Sequence, residues 1–204
     1  MQKVTVLDFG GQYNQLIARR VRECNVYCEV KPCSISPDEI RELAPIGIIL
    51  SGGPQSVYES VSLHVDPALF SLGIPVLGIC YGCQLMAYSL GGTVAAATEA
   101  TAREYGKTLT EFDTHSAIFQ DLPASSVTWM SHGDYISRVP DGFTVTAKTA
   151  VCPTAAMACP EKRLYGVQFH PEVQHTVEGS EMLRRFLYTC LLYTSPSPRD
   201  TERS

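Results

Sequence analysis

Short apolar runs alternate with amphipathic stretches through the first half of the chain. Val4 to Phe9 reads as a buried strand that stops at Gly10-Gly11. Gln15 to Glu23 carries helical spacing, with Leu16, Ile17 and Val21 on the apolar side. Val26 to Lys31 is a second strand. Ser36-Pro37-Asp38-Glu39 opens a short helix, with Ser36 as N-cap, Pro37 at the first helical position and Glu39 closing a capping box. Ile46 to Leu50 is a third strand and runs into Ser51-Gly52-Gly53-Pro54; Pro67 to Leu72 fits a short helix. Val76 to Ile79 is a fourth strand, and the helix beyond it, through Gln84 to Tyr88, stops at Gly91-Gly92. Short strands joined by helices predict an α/β fold, an open, mostly parallel twisted sheet flanked by helices. In such sheets ligands bind beyond the carboxyl ends of the strands. Gly10-Gly11, Gly52-Gly53 and Cys80 all fall at those ends.

The second half predicts a smaller antiparallel section. Tyr105 to Phe112, Val127 to Met130, Phe143 to Ala147, Ala155 to Ala158 and Arg163 to Phe169 read as strands with turns between them. Gly179 to Leu192 is the last amphipathic helix, burying Met182, Leu183, Phe186 and Leu187. With no internal repeat or linker, residues 1–190 form one domain. Residues 191–204 read as a non-native or disordered tail: from Tyr193 to Ser204 the chain is polar, proline-containing and aperiodic, and looks like translated adapter sequence.

Composition narrows the partners. A chain of 204 residues, 45% hydrophobic and 18% charged, suits a soluble globular domain. The net charge of −5 argues against nucleic acid or an anionic membrane. No apolar run approaches the ~20 residues of a membrane helix, and no signal peptide precedes Val4. The expected location is the cytoplasm, where the eight cysteines stay reduced. Cys24, Cys28, Cys152, Cys159 and Cys190 look like small apolar fillers.

The chemistry concentrates at Gly78-Ile79-Cys80-Tyr81-Gly82. A cysteine between glycines, after a strand and before a helix, has the pattern of a nucleophile elbow with sulfur in place of oxygen. The helix start aims unpaired N–H groups and a positive dipole end at the sulfur, which favours the thiolate. Such a thiol needs a base and a group to orient that base. His170 closes the strand Leu164 to Phe169, and Pro171 turns the chain so that Glu172 can reach back to the imidazole. The His170 and Cys80 side chains emerge at the same sheet edge if that strand lies beside Val76 to Ile79. The N–H of Tyr81 is one oxyanion donor, and the Gly52-Gly53 loop offers another.

Other readings of these residues stand beside this one. Cys80-Tyr81-Gly82-Cys83 is also a C-x-x-C, a possible redox pair in which Cys83 more naturally faces the core. His170, Glu172 and His175, or Cys24, Cys28 and Cys33, could be read as metal clusters, but their spacing suits neither a helical face nor a zinc site. Ser131-His132-Gly133-Asp134 is good turn chemistry by itself. Gly10-Gly11 lacks the G-x-G-x-x-G of a dinucleotide site. His64 and His115 belong on the surface.

GICYGCQ at 78–84, SGGP at 51–54 and FHPE at 169–172 together resemble the class I glutamine amidotransferases. The finer resemblance is to the glutaminase domains of GMP synthases, through VLDFGGQYNQLIARRVRE at 6–23, ILSGGPQSVY at 49–58, WMSHGD at 129–134 and YGVQFHPEVQHTVEG at 165–179. It covers nearly all of residues 3–190. It implies Cys80 as nucleophile with His170 and Glu172, Gly53 and Tyr81 as oxyanion donors, and Gln84 with the Ser131-His132-Gly133 backbone around the glutamine head group. It implies no metal and no cofactor for this domain. The substrate is then L-glutamine, and the ammonia goes to a synthetase (ATP-pyrophosphatase) domain or subunit, absent from this chain, which uses ATP and Mg to convert XMP to GMP. The chain is then a fragment or a separate subunit, and a weak glutaminase when alone. A glutaminase serving anthranilate, carbamoyl phosphate or CTP synthesis is the alternative, as is a catalytically weak partner-binding module; WMSHGD and HPEVQHTVEG favour the GMP synthase reading.

Overall fold

The computed structural model describes residues 1–98 and 103–191; of the expected tail, only Leu191 falls among them. The strands are β1 (Lys3–Asp8), β2 (Tyr27–Pro32), β3 (Gly47–Leu50), β4 (Val76–Ile79), β5 (Thr93–Ala96), β6 (Glu104–Phe112), β7 (Ser125–His132), β8 (Asp134–Arg138), β9 (Thr144–Lys148), β10 (Ala156–Cys159) and β11 (Leu164–Val167). The helices are α1 (Asn14–Glu23), α2 (Pro37–Leu43), α3 (Tyr81–Ser89) and α4 (Gly179–Arg185). Nine strands form one sheet in the order β2-β1-β3-β4-β11-β10-β9-β6-β7. From β2 to β11 the pairs are parallel; from β11 to β7 they are antiparallel. The α/β class and the antiparallel second section follow the sequence pattern.

The inner parallel strands β3, β4 and β11 are buried on both faces, as strands covered on both sides must be, while the edge strand β2 carries Glu29 and Lys31. Val4, Val6, Ile49, Leu77, Ile79 and Val167 pack on one side with Ile17, Ala18 and Val21 of α1 and Met182 and Leu183 of α4. Leu7, Ile48, Leu50, Val76 and Leu164 pack on the other with Ile40 of α2 and Leu85, Met86 and Ala87 of α3. Burying each large aliphatic side chain contributes about 1.5–3 kcal/mol, so both helical layers are strongly fixed to the sheet that carries the site.

The helix signals acted as expected, with small shifts. Ser36 Oγ accepts from the Glu39 N–H at 3.2 Å, and Glu39 Oε2 accepts from the Ser36 N–H at 2.8 Å, completing the capping box. In α1 the buried face is Ile17, Ala18 and Val21, with Leu16 only half-buried. Pro67–Ser71 forms a 3₁₀ turn rather than an α-helix, started by Asp66 accepting from the Ala68 N–H. The last helix buries the four expected residues but changes at Phe186 into a π-helical turn that ends at Cys190.

One feature had no legible signal: β5 and β8 form a separate two-stranded antiparallel sheet against α3. Ala95 and Ala96 have little intrinsic strand preference, and in β8 only Ile136 is buried. Distant pairing, rather than local pattern, makes these strands. Among the described residues no helix is long and apolar enough to cross a membrane. All eight cysteines are free and buried.

Candidate active site

The β4–α3 junction builds an elbow. Gly78 and Ile79 finish β4, and Cys80 takes φ 52°, ψ −107°, a left-handed backbone for a residue with a side chain. Such a conformation costs on the order of 1–3 kcal/mol and persists only where its surroundings impose it. Here the Cys80 N–H donates to Val167 O (2.8 Å), the Gly82 N–H to Ser51 O (3.2 Å) and the Gln84 N–H to Cys80 O (3.1 Å). The bend is thus pinned to β11, to the end of β3 and to its own helix.

The parallel pairing of β4 with β11, with Ile79 opposite Val167, brings the second half of the site alongside. His170 emerges at the same sheet edge as Cys80, as the sequence requires. Its Nδ1 lies 2.7 Å from Glu172 Oε1, in a pair that is almost fully buried. A carboxylate can only accept, so Nδ1 carries a proton and Nε2 is left for the Cys80 side, where the two residues border the same cavity and both come within 4 Å of the Cβ position on Gly52. The turn is held from several sides: the His170 N–H donates to Trp129 O (3.0 Å), Thr176 Oγ1 donates to His170 O (2.6 Å) and Arg20 Nε donates to Glu172 O (3.0 Å).

Burial opposes charging His170, but the Cys80 sulfur, by charge and hydrogen bond, and then the Glu172 carboxylate outweigh it and push the ring up to about 11. The sign of each contribution gives a test. In Cys80→Ser the sulfur is gone while the Glu172 contact remains. The His170 titration, followed through its ring protons by NMR, is expected to move down from the alkaline range towards neutrality. An unchanged midpoint would show that the sulfur does not charge the ring.

Cys80 lies at the meeting of two cavities. One, of about 370 Å³, is lined by Gly53, Tyr81, Gln84, Ser131, His132 and Gly133 among others, so every residue expected around a glutamine side chain borders it together with the sulfur. The other, of about 220 Å³, lies between Gly10 to Tyr13 and His170. Tyr81 is the first residue of α3, so the helix leaves its N–H unpaired. Gly53 lies close against it: a Cβ there would come within 3.2 Å of the Tyr81 ring. His132 borders the cavity, but its side chain is buried. Its ring places Nδ1 on Asp134 O (2.8 Å) and Nε2 on Glu104 Oε2 (3.3 Å).

Several residues stood inside the quoted motifs, or beside them, without the contacts they make here being assigned. Asp134 accepts from Tyr58 Oη (2.9 Å) and from Ser56 Oγ, fastening the segment after Gly53 to the cavity wall. Tyr81 Oη donates to Leu63 O at 2.5 Å and holds the far end of that segment. Gln168, fully buried, places Nε2 3.6 Å from the Cys80 sulfur. Tyr105, on the rim, is largely exposed. Only folding brings these together, although Gln168 stands two residues before His170.

The other readings of the cysteines and histidines place differently. Cys83 is fully buried, with its thiol pushed well up by burial, and its sulfur sits where a Cβ on Gly166 would be. His175 is exposed and packs on Trp129, away from His170 and Glu172. His64 and His115 are exposed, as expected. Among the described residues one trio, Glu104, His132 and Cys152, has ligand atoms within 4.8 Å of one another. Protons already meet its contacts: one lies between Glu104 and His132, Thr149 Oγ1 donates to Glu104 Oε1, and Cys152 donates to Thr154 O. Burial, and then the Glu104 carboxylate, push the Cys152 thiol up to about 12.

Comparison with known proteins agrees with this geometry. The family described as glutamine amidotransferase class-I matches residues 5–190. A GMP synthase [glutamine-hydrolyzing] of Clostridium botulinum (strain Alaska E43 / Type E3) is 58% identical over 185 residues, which cover 91% of this chain and 36% of that protein. That of Clostridium perfringens (strain 13 / Type A) is 57% identical over the same shares. The chain therefore spans about a third of the length of the curated relatives it matches. A solved structure from Thermoplasma acidophilum, described as a GMP synthase subunit, superposes with TM-score 0.84 at 32% identity, covering 100% of this chain and 98% of that one.

Proposed function

The chain belongs to the class I glutamine amidotransferase family, and on that premise we propose that it releases ammonia from L-glutamine for the amination of XMP to GMP by a synthetase domain or subunit. ATP and Mg would serve that synthetase portion and not this domain. The observation that carries the reading is the convergence of sulfur, imidazole and carboxylate at one sheet edge, with Glu172 2.7 Å from His170 Nδ1 and Cys80 bordering the same cavity as that ring.

Each residue then has one task. The Cys80 thiolate attacks the side-chain amide carbon of glutamine, and the carbonyl electron pair moves onto oxygen. The N–H groups of Gly53 and Tyr81 hold that oxyanion; removing one such donor typically costs about 10²–10³ in turnover. His170 gives its proton to the departing nitrogen, so ammonia leaves and a γ-glutamyl thioester remains. The neutral ring then takes a proton from the attacking water, the carbon–sulfur bond breaks, and glutamate leaves with Cys80 again a thiolate. Glu172 keeps the ring in the required tautomer throughout. Both Nε2 hydrogens of Gln84 are committed to Asp134 O and Gln168 Oε1, at 3.0 Å each. Substrate contact at Gln84 therefore falls to its carbonyl oxygen.

A cysteine-directed glutamine analogue tests this. It is expected to attach to Cys80 alone, to be blocked by glutamine, and to leave Cys83 unmodified. The isolated chain is expected to hydrolyse glutamine slowly and to speed up with a synthetase partner, since many such sites are completed on assembly. Attachment elsewhere, or none, would overturn the reading.

A further inference from the structure

We propose that Gln168 is a further catalytic residue, donating a hydrogen bond to the Cys80 sulfur and tying it, through Gln84, to the wall that receives the substrate. The inference rests on the amide-hydrolysis reading and adds to it a group for which that reading has no task.

The direction of each hydrogen bond is fixed by chemistry. Asp134 O is a carbonyl and can only accept, so the Gln84 atom 3.0 Å from it is Nε2. The other hydrogen of that nitrogen meets the side-chain oxygen of Gln168 at 3.0 Å. The Gln168 amide is thereby oriented, and its own NH₂ faces the sulfur at 3.6 Å. Gln168 is completely buried and its backbone N–H donates to Ala155 O (2.8 Å), so neither main chain nor side chain is free to turn away. Asp134 O also accepts from His132 Nδ1 at 2.8 Å, and the His132 ring is anchored in turn on buried Glu104. A continuous run of oriented polar groups therefore links the cavity wall to the nucleophile.

Sulfur changes as an acceptor during the reaction, and this gives Gln168 its role. A thiolate accepts strongly; a neutral thiol, which can point its hydrogen at Ser131 O (3.7 Å), accepts weakly, as does a thioester sulfur. The donor therefore favours the two states in which sulfur bears charge. These are the thiolate before attack and the thiolate expelled when water cleaves the thioester. In that second step the water oxygen bonds to the acyl carbon, its proton passes to His170, and the pair of the broken carbon–sulfur bond goes to sulfur, where the Gln168 N–H meets it.

The test uses the full chain and two variants that differ in what faces the sulfur. Gln168→Met keeps the bulk and removes the donor; Gln168→Glu keeps the acceptor for Gln84 and puts negative charge beside the thiolate. Iodoacetamide alkylation of Cys80 against pH is expected to move to higher pH in Q168M and further in Q168E. Turnover of glutamine is expected to fall by about tenfold or more in Q168M, the scale of one hydrogen bond to a charged atom, with much less change in KM. A role in packing alone would lower the yield of folded protein without moving the alkylation profile. If Q168M does not fold, Q168E decides. A folded variant with the wild-type alkylation profile and turnover overturns the inference. Failure of the amide-hydrolysis reading looks different: the wild-type chain itself would neither hydrolyse glutamine nor accept the analogue, while the alkylation profiles would still report on Gln168.

Discussion

Replacing Cys80 with alanine is expected to lower glutamine hydrolysis by at least about 10⁴-fold, since loss of the nucleophile in such a triad removes nearly all of the chemistry the set performs. The protein is expected to stay folded. What pins the bend is backbone: the Cys80 N–H on Val167 O, the Cys80 carbonyl under the Gln84 N–H, and the Gly82 N–H on Ser51 O. Alanine keeps all three and fills no new space. The cavity that Gly53, Tyr81, Gln84 and Ser131 border keeps its walls, so glutamine binding is expected to survive. Assembled with a synthetase partner, Cys80→Ala is expected to regain full synthesis when ammonium salt is supplied, because only the source of ammonia has been lost. Substantial glutamine hydrolysis by the purified variant would remove Cys80 from the mechanism.

Much of this arrangement was legible in the chain, for identifiable reasons. The elbow shows in local order, because Gly78, Cys80 and Gly82 must stand at those spacings for a strand to reverse into a helix. The capping box at Ser36 and the apolar face of the last helix show in the same way, each being decided within a few residues. The meeting of Cys80 with His170 was legible only as a condition, that Leu164 to Val167 lie beside Val76 to Ile79. The parallel register of those strands meets it. What stayed hidden depends on contacts between distant segments. Asp134 fastens Ser56 and Tyr58 across more than seventy positions, and nothing local marks Ser56 or Tyr58 as its partners. Gln168 was in view but silent, since an amide at a strand end is ordinary until its neighbour proves to be a sulfur. The β5–β8 pair was invisible for a different reason, because its residues acquire strand character only from each other.

The glycines of the elbow carry the largest expected effect on structure and activity together. A Cβ on Gly82 would lie 2.5 Å from Leu50 O and 2.6 Å from Leu50 Cβ, with backbone and strand core on the receiving side and nothing flexible to yield. Gly82→Ala therefore has to push the start of α3 away from β3. Overpacking of this kind costs about 1–3 kcal/mol, seen as a drop in Tm of about 2–4 °C per kcal/mol for a chain of this size. The same displacement carries Cys80 and the Tyr81 N–H with it. A misplacement of about 1 Å at a reacting centre costs on the order of 10² in rate, so turnover is expected to fall about a hundredfold even at temperatures where the variant is fully folded. Gly78 faces the same seam from the strand side, where a Cβ would come within 2.6 Å of Gly82 O and 2.7 Å of Cys83 N. Gly78→Ala is then expected to reproduce both effects. The double variant is expected to cost less than the sum of the two, because a helix start already lifted by one methyl gives room to the other. Wild-type Tm and turnover in Gly82→Ala would show that the bend does not depend on the close approach of α3 to β3.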